Sequence, residues 1–214
     1  MALQPSAHAN EPARKVISDW ISAQKNVNSL EVDFVQDRKL RGLKKPLRSN
    51  GKFWLSKPDK MRWQVGDPVK TLAIYSGDLA TVIKPEKNEY RQQKSGTSEE
   101  SGEAERTFLQ SGLPDSLEAF EKFAKIGETK QVEFNESLTG VELTLLDKKA
   151  ASAVDSLILF IDEKNQLLAG YEIKFRDGSE VLTRFSKINS SPTLNDALFT
   201  PETSNLKQVP WDTK

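Results

Sequence analysis

The chain has 214 residues, 36 % of them apolar and 29 % charged, with 31 basic and 31 acidic side chains and no cysteine. A chain of this length buries about 70 % of its unfolded surface and needs no covalent staple to fold. Zero net charge removes the global field that draws a protein to nucleic acid or an anionic membrane. The missing thiols remove disulfides, thiolate metal sites and a lipid-bearing N-terminal cysteine.

The opening "MALQPSAHAN" has no apolar core, so it is not a complete signal peptide. Ala7–Ala9 nevertheless has the small-x-small form found before a signal cleavage site. Residues 1–10 are read as a disordered terminus or a cloning remnant, and residues 11–214 as a single domain. Asn10 to Asn28 carries helix signals. Asn10 can cap, Glu11 suits the positive end and Pro12 the first turn. Val16, Ile17, Trp20 and Ile21 then fall at helical spacing. At Leu30, Val32 and Phe34 the apolar period changes to two, which predicts a strand.

Strand and turn signals follow. "LRGLKKPLRSN" reads as a loop, and its basic run from Arg38 to Arg48 as a solvated one. Gly51–Lys57 and Met61–Val65 flank Lys57-Pro58-Asp59-Lys60, which has the chemistry of a type I turn. Thr71–Tyr75 and Leu79–Ile83 form a hairpin about Ser76-Gly77-Asp78. Lys94–Glu105, "KSGTSEESGEAE", has almost nothing to bury and is expected to be a mobile surface loop. Phe108 to Ala124 reads as helix in two pieces. The second starts at Pro114-Asp115-Ser116 and carries a stripe of Leu117, Phe120, Phe123 and Ala124.

The last third predicts strands at Gln131–Asn135, Val141–Leu146, Val154–Ile161, Leu167–Phe175 and Glu180–Ile188. Glu163-Lys164-Asn165 and Arg176-Asp177-Gly178 are the turns. The tail from Thr193 is expected to pack Phe199 onto the body. With about ten strands, two or three helices and no βαβ alternation, the fold class is mainly β (α+β), built on one antiparallel sheet. A sheet of that size curls, closes or splits, and can surround either its own side chains or a ligand.

The chemistry is narrow. His8 is the single histidine and lies in the terminus, which removes a Ser-His-Asp triad, a His-ligated zinc and a histidine base. No phosphate loop or dinucleotide fingerprint is present. Glu133 with Glu136, or Asp155 with Asp162, has the residue types of a glycosidase pair, yet solvated edge and turn positions explain them better. Trp54 and Trp63 with Lys52, Lys60 and Arg62 have the makings of a base-stacking platform, but an ordinary hairpin accounts for them. No enzyme, cofactor, metal or nucleic acid is expected.

The stretch "GKFWLSKPDKMRWQV" (Gly51–Val65) asks the sharper question. Its outer face is polar except for Trp54. Its inner face, Phe53, Leu55, Met61, Trp63 and Val65, is apolar except for Lys57. A cation in a dry core is costly. Lys57 therefore either reaches water from the strand end or borders a cavity, where it bonds a covering segment or a polar group of a ligand.

"DFVQ" after an amphipathic helix, then "GKFWLSKPDKMRWQV" and "AIYSGDLATVIKP", and finally "ALFTPE" (Ala197–Glu202), resemble LolA, the periplasmic lipoprotein carrier family. The likeness is specific over residues 15–90 and holds only in outline beyond. It implies an open, unclosed antiparallel β-barrel of ten or eleven strands, covered by helices that form a lid. The apolar lining then takes acyl chains, with Trp20, Phe34, Phe53, Leu55, Met61, Trp63, Leu72 and Ile74 as the lining residues. Lys57 stands where the family has a latching arginine. Lysine lacks the planar fork of arginine, so a weaker latch is implied. The family's D-G-x-x-L-W stretch is altered to Ser76-Gly77-Asp78-Leu79-Ala80-Thr81, with no Trp. "LRGLKKPL" is closer to relatives found beside lipid-synthesis genes, so the cargo extends to other lipids. The resemblance further implies a monomer in the periplasm that takes acylated lipoprotein or lipid from an inner-membrane donor to an outer-membrane acceptor. The competing reading is a sensor or regulatory module on the same fold.

Overall fold

The computed structural model describes residues 10–94 and 116–210. The segment read as a mobile loop lies outside these residues apart from Lys94, as do the first helical piece after Phe108 and nearly all of the N-terminal segment. The fold is mostly β. Among the described residues twelve strands form one sheet in the order β12-β6-β5-β4-β3-β2-β1-β11-β10-β9-β8-β7, with β12 and β7 at its ends, and the sheet is not closed. The strands are β1 (Ser29–Lys39), β2 (Leu47–Ser56), β3 (Lys60–Val65), β4 (Thr71–Ser76), β5 (Leu79–Lys84), β6 (Glu89–Lys94), β7 (Ala124–Gln131), β8 (Thr139–Leu145), β9 (Val154–Asp162), β10 (Leu167–Phe175), β11 (Glu180–Asn189) and β12 (Lys207–Gln208). Pairing is antiparallel from β2 through β6 and from β7 through β11, while β12 runs parallel to β6.

By compactness the chain divides into two units. One holds residues 1–26, 37–47 and 113–184, the other residues 27–36, 48–112 and 185–214. In the first unit, helix α1 (Glu11–Gln24) turns Ala13, Val16, Ile17, Trp20, Ile21 and Gln24 inward at strict helical spacing. It lies against β7, β8, β10 and helix α2 (Leu117–Phe123). Ser116 caps α2 by accepting from the Ala119 N–H, 3.1 Å away. Trp20 and Phe120 meet edge to face, 6.4 Å between centroids, and Arg14 pairs with Glu121. Asn10 does not cap α1 with its side chain as expected. Its amide donates instead to the Ile126 carbonyl at 2.9 Å.

Register aligns Val141 with Leu159 and Tyr171, and Leu143 with Leu157 and Ile173, on one buried face of β8–β10. The opposite face carries Phe160, with Val132 and Leu138 packed on it from the β7–β8 connection. The expected strand at Gln131–Asn135 is therefore displaced. The strand runs Ala124–Gln131, and Val132 begins a turn because its side chain is needed against Phe160. A third short helix, α3 (Lys148–Ala153), was not legible as such. Asp147 caps it by accepting from Ala150 N–H. No helix among the described residues is long and apolar enough to cross a membrane.

Candidate functional site

The second unit contains the hairpin that the sequence singled out. β2 and β3 pair Phe53 with Trp63 and Leu55 with Met61, and β3 with β4 pairs Trp63 with Ala73 and Met61 with Tyr75. Side chains opposite one another share a face. Phe34 and Val32 of β1 join this face, so Val32, Phe34, Phe53, Leu55, Met61 and Trp63 form one buried apolar cluster. Phe34 stacks on Trp63 at 4.2 Å and 27°. Gly51 makes room for this. A Cβ there would overlap both the Phe34 ring and the Gln64 carbonyl, so only glycine lets the ring lie on the β2 backbone.

The other face of the same strands differs. Trp54, Ile74 and Phe199 are buried together, with Leu72, Leu194 and Leu198 against them. Trp54 was expected on an outer, polar surface. It is covered because Asp196–Phe199 forms a 3-10 turn that lays Phe199 on the sheet. Arg62 fastens that turn. Its guanidinium donates to the Leu198 carbonyl at 2.9 Å and to Gln64 Oε1 at 3.2 Å, and it stands 5.6 Å over the Trp54 ring. Burial pushes the Arg62 pKa below its ordinary value, though a guanidinium stays charged. Lys60 adds an ion pair to Asp196 at 2.8 Å.

Of the residues expected to line one surface, five are brought together: Phe34, Phe53, Leu55, Met61 and Trp63. Leu72 and Ile74 are not with them. They pair with Gln64 and Arg62, and strand alternation puts them on the Trp54 face. Trp20 belongs to the other unit, buried beside Phe120; its indole N–H has no hydrogen-bond partner among the described residues. Lys57 is half-buried and its backbone N–H donates to Asn28 O at 2.8 Å. The Lys57–Pro58 peptide is cis, where a type I turn was expected. Phe199 is the member that sequence reasoning left unplaced; the residue was singled out, but not the face it covers.

Polar chemistry is sparse around the apolar cluster. Asp33, next to Phe34 on β1, lies 2.9 Å from Lys187 and 3.0 Å from Lys52. These two ammonium groups, Lys187 first, hold its carboxyl below the usual range. No group of acids and histidines among the described residues is arranged to hold a metal. The arrangement offers dispersion and desolvation to an apolar group.

Residues 25–108 match the family model described as "Outer membrane lipoprotein carrier protein LolA". A curated relative from Dechloromonas aromatica (strain RCB), named "Outer-membrane lipoprotein carrier protein", is 29 % identical over 175 residues, 82 % of this chain and 77 % of that protein. Among solved structures, an uncharacterized conserved protein from Thermus thermophilus aligns with a TM-score of 0.57 at 5 % identity, covering 94 % of this chain and all of that one (100 %). A DUF1329 family protein from Desulfovibrio piger aligns with a TM-score of 0.50 at 13 % identity, over 92 % and 99 % of the two chains. At those identities the structures speak to the fold alone. The matched segment contains β1 through β6, and with them the Phe34–Trp63 cluster. The likeness first seen in Gly51–Val65 is thus borne out: over residues 25–108 the chain is similar to the LolA carrier family.

Proposed function

We propose that this protein is a periplasmic carrier that holds acyl chains of lipoproteins, or of a related lipid, and shuttles them from an inner-membrane donor to an outer-membrane acceptor. The observation that carries the reading is the cluster of Phe34, Phe53, Leu55, Met61 and Trp63, which lies inside the segment matched to the carrier family. An acyl chain in water costs about 0.8 kcal/mol per methylene, so its carrier must offer apolar surface. That surface must be shielded when empty, or the protein would aggregate. Flexible alkyl cargo needs no fixed register. A mixed aromatic and aliphatic lining is adequate, and no residue need act as acid, base or nucleophile.

In this reading Lys57, just past the end of β2, acts as the latch of a movable cover over the apolar cluster. Opening needs only a modest gap between two states. A lysine latch is weaker than an arginine one because it has no bidentate fork.

Brominated fatty acid quenches nearby indoles. Quenching is expected in the wild type, to be lost in Trp63→Phe and to survive in Trp54→Phe, whose ring is covered by Phe199. Lipid extraction of the purified protein should yield acyl chains. A protein that takes up no acyl probe and yields no lipid rejects the carrier. In Lys57→Leu a latch predicts faster probe uptake; an unchanged rate returns Lys57 to a strand-end role.

A further inference from the structure

The connection between β1 and β2 is unlike the rest of the surface. Residues 38–48 read Arg-Lys-Leu-Arg-Gly-Leu-Lys-Lys-Pro-Leu-Arg: six cations, three leucines and no acid, in a chain whose total charge is zero. All eleven residues are exposed. Leu40, Leu43 and Leu47 keep 41 %, 48 % and 50 % of their surface in water, and they are three of the five large hydrophobic residues recorded as exposed among the described residues. A β-turn brings two of them together: Leu43 N–H donates to the Leu40 carbonyl at 3.1 Å, and Gly42 supplies the positive φ of +88°. No backbone or side chain lies within 4 Å of where a Gly42 Cβ would be, so the tip stands clear. The nearby acids are few. Glu180 pairs with Lys39 at 3.1 Å, and Asp177 lies within electrostatic reach of Arg41. Arg38, Lys44 and Lys45 make no ion pair among the described residues.

A solvated loop has no use for three leucines; an acidic protein partner has none for leucines set singly between cations on a tip. Alternating cations and aliphatics are what an anionic bilayer interface takes up: leucines sink into the headgroup–acyl boundary while lysines and arginines stay at the phosphates. We infer that the β1–β2 loop docks the protein on anionic phospholipid surfaces, with Leu40, Leu43 and Leu47 inserted and Arg38, Arg41, Lys44 and Lys45 at the headgroups. The residues are separate from the acyl-binding cluster, and the inference stands whether or not that cluster takes cargo.

Flotation of the full chain with phosphatidylglycerol/phosphatidylethanolamine vesicles tests it, against phosphatidylcholine vesicles as control. Binding is expected on the anionic vesicles only, and to fall as salt is raised. Lys44→Gln with Lys45→Gln should weaken it about fivefold per cation removed. Leu40→Ser, Leu43→Ser and Leu47→Ser together should weaken it at least about tenfold. Both variants should keep the wild-type far-UV circular dichroism and urea midpoint, which shows that they fold whether or not the protein takes acyl cargo. With no cysteine in the chain, Leu43→Cys takes a single environment-sensitive fluorophore, whose emission should shift blue on the anionic vesicles. No vesicle binding, binding that survives both sets of changes, an unshifted label on the bound protein, or capture of an acidic protein without vesicles overturns the inference.

Discussion

On one face of β2–β4 the chain's own tail lies over Trp54 and Ile74. On the other, Phe34, Phe53, Leu55, Met61 and Trp63 cover one another. The tail-covered face is tied with directional bonds, from Arg62 to the Leu198 carbonyl and from Lys60 to Asp196. The Phe34 face is held by apolar contact and ring stacking. Directional bonds fix one partner in one register, whereas dispersion accepts many shapes. Under the carrier proposal, the tied face is permanent structure and the Phe34 face is the one that takes apolar cargo.

The largest expected effect tests the permanent face. Phe199→Ala leaves a cavity on Trp54 and should cost about 4 kcal/mol in urea unfolding, while acyl-probe affinity of the folded fraction stays unchanged. A matching loss of probe affinity would erase the division between the faces. Next, Gly51→Ala forces the Phe34 ring off β2 and should cost about 3 kcal/mol. This time the probe affinity should fall as well, since the altered face is the adaptable one. Third, Arg62→Met removes the donor to the part-buried Leu198 carbonyl and should cost about 1–2 kcal/mol, seen as a lower urea midpoint with exposure of Trp54 emission.

The smallest effect concerns Asp33. Lys187 and Lys52 depress its pKa, so the folded chain takes up that proton at lower pH than the unfolded chain. Its contribution is complete above the ordinary carboxyl value of 3.8 and is lost as pH falls below that toward the depressed value. The pair residues are partly exposed, so Asp33→Asn should cost under about 1 kcal/mol at neutral pH. The difference from wild type should vanish in acid unfolding curves.

Local patterns were legible and long-range cover was not. The period-two runs at Phe53–Leu55 and Met61–Val65, the Asp177-Gly178 turn and the Ser116 cap are written in neighbouring residues, and the structure follows them. Trp54 reads as an odd aromatic on a wet face because its cover, Phe199, lies far along the chain; no local period encodes a contact of that span. The resemblance groups Leu72 and Ile74 with Trp63. Their side is decided by pairing across β3, where Leu72 faces Gln64 and Ile74 faces Arg62. Val132 shows the same limit, since a β-like residue is drawn out of the strand by a distant Phe160.

A sheet that stops short of closure must guard two rims, each a row of amides ready to recruit a neighbouring molecule into a fibre. At one rim the two-residue β12 shields the start of β6, with Lys207 N–H on the Asn88 carbonyl and Val209 N–H on that of Tyr90, both 2.9 Å. At the other, β7 carries Lys125, Glu128 and Lys130 and breaks its register between Ile126 and Thr129. Charge and irregularity there discourage self-templating, so the molecule can remain open-ended without polymerising.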